Sequence, residues 1–172
     1  ITFCRMLIGP YTTPAFYARA RGAYTNTTHI EVYRGAGRPE AAYMYERLLD
    51  AAARERGIDP DEIRSRNFIP PEQFPYETPT GVLYDCANMP GLMSKAKSLS
   101  NYQELRAEQK KLRNDGTLMG IGMGTFIDYS GGGPNRAMAG VWNRRMGSYE
   151  VATVRMHPDG KVTALVGTHS HG

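Results

Sequence analysis

The nine residues Val32 to Glu40, VYRGAGRPE, constrain this chain more than any other stretch. They place a Tyr33-Arg34 pair, a Gly35-Ala36-Gly37 turn and a helix start at Pro39 in immediate succession. Proline at the first helical position costs no hydrogen bond, because its missing N–H is one of the orphans of a helix start. Glycine lets the backbone approach a ligand closely, and a helix N-terminus adds unsatisfied donors and partial positive charge. Arg34 and Arg38 flank the turn. The segment therefore suits an anionic or oxo-rich group. An ordinary glycine-rich loop ahead of a helix accounts for the same residues. It is not a dinucleotide fingerprint, since Glu40 stands where the third glycine belongs.

The rest of the chain reads as α+β. Ile1 to Ile8 and Phe16 to Tyr24 carry the apolar, aromatic and β-branched residues of strands, punctuated by Gly9-Pro10 and Thr13-Pro14. From Pro39, Ala42, Tyr45, Leu48, Leu49 and Ala52 recur at helical spacing and predict a buried face, with Gly57 as C-cap. Asp59 predicts the N-cap of the next helix, with Pro60 in its first turn and Glu62 at the acidic position of a capping box. Residues 67–87 are proline-rich and predict an extended connection with a small hairpin through Pro79-Thr80-Gly81. Pro90 to Leu99 and Tyr102 to Asn114 predict two helices, the second stopped by Asn114-Asp115-Gly116. Leu118 to Tyr129 reads as a strand whose alternating Gly120, Gly122 and Gly124 press one face against another backbone. Ser148 to Met156 and Lys161 to Thr168 predict a hairpin joined by His157-Pro158-Asp159-Gly160.

Several function classes are excluded or weakened. The formal net charge of +4 is modest, and the basic pairs Lys110-Lys111 and Arg144-Arg145 read as solvated surface, with no nucleic-acid motif beside them. No apolar run is long enough to span a bilayer. Cys4 and Cys86 have no CxxC partner and read as buried or inert thiols of a reducing compartment. Gly120-Ile121-Gly122-Met123-Gly124 lacks the Lys-Ser/Thr of a phosphate loop. Gly131-Gly132-Gly133-Pro134 reads as a turn. His169-Ser170-His171 offers two imidazoles without a third ligand, and His29 lies close ahead of the loop. No residue is assigned as a metal ligand, and most of the helical carboxylates read as solvated.

A family resemblance covers nearly the whole chain in collinear order. VYRGAGRPE resembles the active-site loop of the molybdenum hydroxylase large subunits, which include xanthine dehydrogenases, aldehyde oxidases and carbon monoxide dehydrogenases. It is closest to the AYRGAGR loop of the form II branch. Tyr24 to Thr27, Glu40 to Ile69, Phe74 to Asp85, Tyr129 to Pro134 and Val166 to Gly172 are similar to the family's corresponding segments. Such subunits are several times longer, so the resemblance implies an internal fragment. Its residues 1–116 would be the C-terminal part of a first molybdopterin-binding domain, and 117–172 the N-terminal part of a second.

The resemblance implies a molybdenum–pterin cofactor, with the cytosine dinucleotide form common in bacteria. Iron–sulfur clusters and FAD would lie in partner subunits or domains: an iron–sulfur small subunit and an FAD-binding medium subunit. A small-molecule substrate, an aldehyde or N-heterocycle, would be hydroxylated with oxygen from water in a cytoplasmic enzyme. Arg34 would orient substrate or stabilise charge. Gly35, Ala36 and Gly37 would let the backbone pass close to the cofactor, and Tyr33 and Arg38 would support it. The family's catalytic glutamate matches no residue here, so the fragment alone is expected to be inactive. Members that oxidise carbon monoxide carry a copper-binding cysteine in an AYRCSFR loop, where this chain has Gly35. Carbon monoxide oxidation is thus the alternative activity. A non-catalytic packing or anion-binding role is the alternative class.

Overall fold

Helix α2, Arg38–Arg56, organises the larger of two compact units, which spans Ile1–Asp128. The computed structural model describes residues 2–29, 31, 33–128, 151–168 and 170. Local sequence fixes both ends of α2. Gly37 caps its start in the left-handed region and Pro39 sits in its first turn. Gly57 ends it at φ 66°, its N–H returning to the carbonyls of Ala53 and Arg54. Glu40 in the first turn and Arg54 and Arg56 in the last complement the helix dipole. α3, Pro60–Asn67, follows after three residues, and the Asp59 carboxylate caps it by accepting from the Asp61 N–H. α4, Met89–Leu99, and α5, Tyr102–Asn114, form the predicted helical pair. A short antiparallel pairing of β1, Tyr76–Glu77, with β2, Leu83–Tyr84, is the predicted small hairpin.

The core packs three aromatic rings against two methionines. Tyr11 stacks on Phe68 at 5.4 Å and meets Tyr45 edge-on at 5.9 Å, and Met89 and Met93 close the cluster. The N-terminal segment is drawn in by this cluster. Gly9 adopts φ +60°, and a Cβ there would lie 2.7 Å from the Tyr45 ring. The buried Tyr84 hydroxyl donates to the Gly9 carbonyl, and burial, with Tyr76 nearby, raises its pKa to about 12.

Three strand expectations give way here. Residues Thr2–Met6 form α1, a short helix docked on α2, where a strand over Ile1 to Ile8 was expected. A short apolar run does not distinguish strand from helix, and docking decided it. Phe16 to Tyr24 has the composition of a strand but pairs with nothing among the described residues; Tyr17 and Tyr24 are exposed. Residues 117–128 run without a β-ladder, and Cβ atoms built on Gly120 and Gly122 meet nothing within 4 Å, so these glycines are not pressed on a backbone.

The buried face of α2 is also turned from the expected one. Ala41, Tyr45, Glu46 and Ala53 are buried, Ala42 and Leu49 pack partly, and Leu48 is 67% exposed. Of the two thiols, Cys86 is exposed and Cys4 half-buried, so neither is fully buried.

The second unit, Tyr129–Gly172, is described by itself. Its described part holds the predicted hairpin: β3, Ala152–Met156, antiparallel to β4, Val162–Val166, with Val154 opposite Ala164. The readings at Gly131–Pro134, His169 and His171 lie outside the described residues. No described helix is long and apolar enough to cross a membrane.

Candidate functional site

The Gly35–Gly37 turn adopts three successive positive φ angles, 91°, 50° and 91°. L-residues avoid this region, which is why glycine occupies two of the three positions. Local packing restricts both further. A Cβ at Gly35 would lie 2.8 Å from the Pro39 ring, and one at Gly37 would lie 3.0 Å from Phe3 of α1. The turn closes on itself through Ala36 N–H to the Tyr33 carbonyl and Arg38 N–H to the Gly35 carbonyl, each 3.0 Å. The Gly35 and Gly37 N–H groups have no acceptor among the described residues.

Not all six predicted residues converge on one cavity. Gly35 and Arg38 line a cavity of about 210 Å³ with Pro39, Tyr45, Phe126 and Asp128. Arg38 Nε lies 3.3 Å from the Asp128 carboxylate. Tyr33 and Arg34 project outward instead; Tyr33 is 74% exposed, and the Arg34 guanidinium lies 5.5 Å from its ring centre. Ala36 and Gly37 are half-buried and do not line the cavity. His29 is exposed and pairs with Glu31 at 3.1 Å.

The opposite wall of the cavity is held by a buried network that sequence reasoning missed. The Glu46 carboxylate accepts from the Tyr11 hydroxyl at 2.5 Å and the Thr125 hydroxyl at 2.9 Å on one oxygen, and from Arg64 Nε at 2.7 Å on the other. Arg64 is fully buried and also donates to Asp50 and to the carbonyls of Pro60, Glu46 and Met123. Burial works against the Arg64 charge, but hydrogen bonds to Glu46 and Asp50 outweigh it and raise its pKa. The Tyr11 pKa rises strongly, first through burial and then through its bond to Glu46. Tyr45 adds a bond to the Thr125 carbonyl at 3.0 Å; burial, then the Glu46 charge, raises its pKa. A signal for Glu46 was present: it interrupts the helical stripe Ala42, Leu49, Ala53.

The free donors fit an acceptor-rich cofactor. Two unclaimed N–H groups at a helix start, beside exposed Arg34 and partly buried Arg38, offer donors and positive charge. Among the described residues, no group of three or more His, Cys, Asp or Glu is placed to hold a metal ion. The Gly35 and Gly37 N–H groups could donate to oxygen atoms of a cofactor.

Comparison with known proteins defines the class. Residues 1–68 match a molybdopterin cofactor-binding domain family, and residues 95–172 match a second family of the same description. The chain belongs to the molybdopterin-binding large-subunit family of molybdenum hydroxylases. It is 37% identical over 99% of its length to the carbon monoxide dehydrogenase large chain of Afipia carboxidovorans, of which it covers 22%. It is 29% identical over 95% of its length to the nicotine 6-hydroxylase large subunit of Paenarthrobacter nicotinovorans, of which it covers 20%. Among solved structures, quinoline 2-oxidoreductase from Pseudomonas putida 86 superposes over 99% of the chain at TM-score 0.77 and 28% identity, with 22% of that protein covered. The chain thus spans about one fifth of the length of the curated relatives it matches. The α+β fold and the molybdopterin-binding character expected from sequence both hold.

Proposed function

We propose that this chain forms one wall of the molybdenum–pterin pocket in the catalytic subunit of an oxidoreductase that hydroxylates an aldehyde or N-heterocycle. The observation that carries the reading is the loop itself: three left-handed residues leave the Gly35 and Gly37 N–H groups open at the start of α2. It is supported by the two molybdopterin-binding family matches on either side of the chain. When bound, the cofactor supplies two-electron oxidation with oxygen drawn from water. The protein's share is binding and orientation. The glycine N–H groups and Arg38 hold acceptor atoms of the cofactor, in its cytosine dinucleotide form. Arg34, on the exposed side of the turn, orients substrate or offsets developing negative charge. Tyr33 supports its guanidinium, and Ala36 keeps the backbone close to the bound group.

The same proposal places iron–sulfur clusters and FAD in small and medium partner subunits, and the assembled enzyme in the cytoplasm. It assigns residues 1–116 to the end of one pterin-binding domain and 117–172 to the start of the next. Identity to carbon monoxide dehydrogenase large chains favours carbon monoxide as an alternative substrate. Gly35 offers no thiol at the position where the resemblance puts a copper ligand, so a carbon substrate with a C–H bond is the better reading.

The test uses the full-length subunit that contains this chain. Purified intact, it should carry molybdenum and release an oxidised pterin and a cytidine nucleotide. A well-folded subunit with neither molybdenum nor pterin refutes the cofactor role. Arg34→Met should lower kcat/KM for the preferred substrate by about a hundredfold to a thousandfold, the range for loss of one charge-stabilising donor, while cofactor content stays constant. An unchanged kcat/KM with every substrate refutes the role of Arg34.

A further inference from the structure

A second concavity lies between α2 and α5. It encloses about 640 Å³ and is lined by Arg47 and Arg54 of α2 and by Arg106, Lys110 and Arg113 of α5, with Asp50 as the one carboxylate. Internal compensation is incomplete. Asp50 is shared between Arg47 at 3.8 Å and the buried Arg64 at 2.9 Å, and Arg106 is met by Asp59 at 3.2 Å. Arg54, Lys110 and Arg113 have no acidic partner among the described residues. Ile121, Gly122 and Met123 also line it, and a Cβ at Gly122 would meet nothing within 4 Å.

The cations are spread in rows. Arg47 and Arg54 are seven residues apart, as are Arg106 and Arg113. At a rise of about 1.5 Å per residue each row runs about 10 Å. Lys110 divides the second row at steps of about 6 and 4.5 Å. A single phosphate-sized anion would satisfy one end of such rows. An extended peptide advances about 3.3 Å per residue and presents every second side chain on one face, about 6.6 Å apart. The row on α5, about 10 Å long, thus spans about three residues of extended chain.

Four-fifths of the relatives' length lies outside this chain, so much of the subunit remains to pack on it. Cations enclosed by that packing need counter-charges, because an unpaired charge removed from water is costly. We infer that the concavity between α2 and α5 receives an extended Asp/Glu-bearing segment of the same subunit's polypeptide, lying outside residues 1–128, and so fastens this unit into the whole subunit.

Zero-length carbodiimide coupling on the full-length subunit, read by peptide mass spectrometry, tests this. The reagent joins the Lys110 amine to a carboxylate only where the two are already in contact. The expected product links Lys110 to an Asp or Glu outside residues 1–128 of the same polypeptide. Lys111, the adjacent residue that does not line the concavity, should be linked several-fold less. Arg54→Glu with Arg113→Glu, Lys110 retained as the probe, should lower the link about tenfold, since each reversal removes one exposed attraction and adds a repulsion of similar size. Three results would overturn the inference: Lys110 freely labelled by an amine reagent with no link, a link to another subunit alone, or protection of Lys110 only in high inorganic phosphate, which would mark a soluble-anion site. Molybdenum content, measured on the same sample, reports on the cofactor reading separately.

Discussion

Arg64→Met removes the most enclosed charge of the larger unit, and its cost follows from geometry. Arg64 Nε lies 2.7 Å from Glu46, and neither side chain is more than 10% exposed. For charge centres about 4 Å apart at an effective dielectric of about 20, the attraction is about 4 kcal/mol. Removing one member leaves Glu46 buried, with only the Tyr11 and Thr125 hydroxyls to compensate it. The expected loss is therefore about 3–5 kcal/mol, the range for breaking a buried pair from one side. Asp50, 20% exposed, re-solvates and contributes little. Urea denaturation followed by far-UV circular dichroism measures this, because every described helix lies in this unit. Adding Glu46→Gln to Arg64→Met removes the stranded charge, so the double variant should recover about 2 kcal/mol relative to the sum of the single costs. The detached Met123 carbonyl should also expose residues 117–128 to limited proteolysis. A cost below about 1 kcal/mol for Arg64→Met, or strict additivity in the double variant, refutes the account.

Two further perturbations address the loop and the acid response. Gly35→Ala should cost about 1–2 kcal/mol through its φ of +91° alone, plus the displacement of Pro39, whereas Gly22→Ala, with open space at its Cβ, should stay within about 0.5 kcal/mol. Equal effects of the two in thermal unfolding would show that the turn is not held as described. Burial alone would raise the Asp59 pKa, but the Asp61 N–H, the Tyr102 hydroxyl and Arg106 outweigh it and hold the pKa below the ordinary 3.8. A depressed carboxylate stabilises the fold above its unfolded pKa and loses that contribution as pH falls through the folded value. Acid titration should therefore weaken the α3 cap and the α5 anchor only below about pH 4, and Asp59→Asn should flatten the stability profile in that window. An identical acid profile for the variant would refute the linkage.

What was legible in the sequence was punctuated locally. Pro39, Gly57, Asp59-Pro60 and Asn114-Asp115-Gly116 mark helix ends through conformations their own residues impose, and helices α2, α3 and α5 follow them. The hairpin over β3 and β4 has the same character, since its turn residues are contiguous. Strands without a local turn were not legible. Residues 16–24 and 118–128 carry strand-like composition, but a strand exists only where a partner backbone is supplied, and none is described for either. Glu46 falls among the helical carboxylates, most of which read as solvated, and its pairing with Arg64 joins two helices across 18 positions.

These two kinds of determinant meet at the cavity. Its near wall, Gly35 to Pro39, is set by local conformation, which glycine and proline enforce regardless of the core. Its far wall, Phe126 to Asp128, has no ladder and is fixed by side chains: Gln109 holds the Met119 carbonyl, Arg64 holds Met123, Tyr45 holds Thr125, and Arg38 faces Asp128. Tyr45 and Glu46 lie on the helix that the loop begins, about two turns from its start. Both walls are thus referenced to α2, one covalently and one through its buried polar residues. A substitution at Glu46 or Arg64 should consequently shift the far wall while leaving the turn's own hydrogen bonds intact, so that cofactor retention in the full-length subunit falls before the Gly35–Pro39 conformation is disturbed.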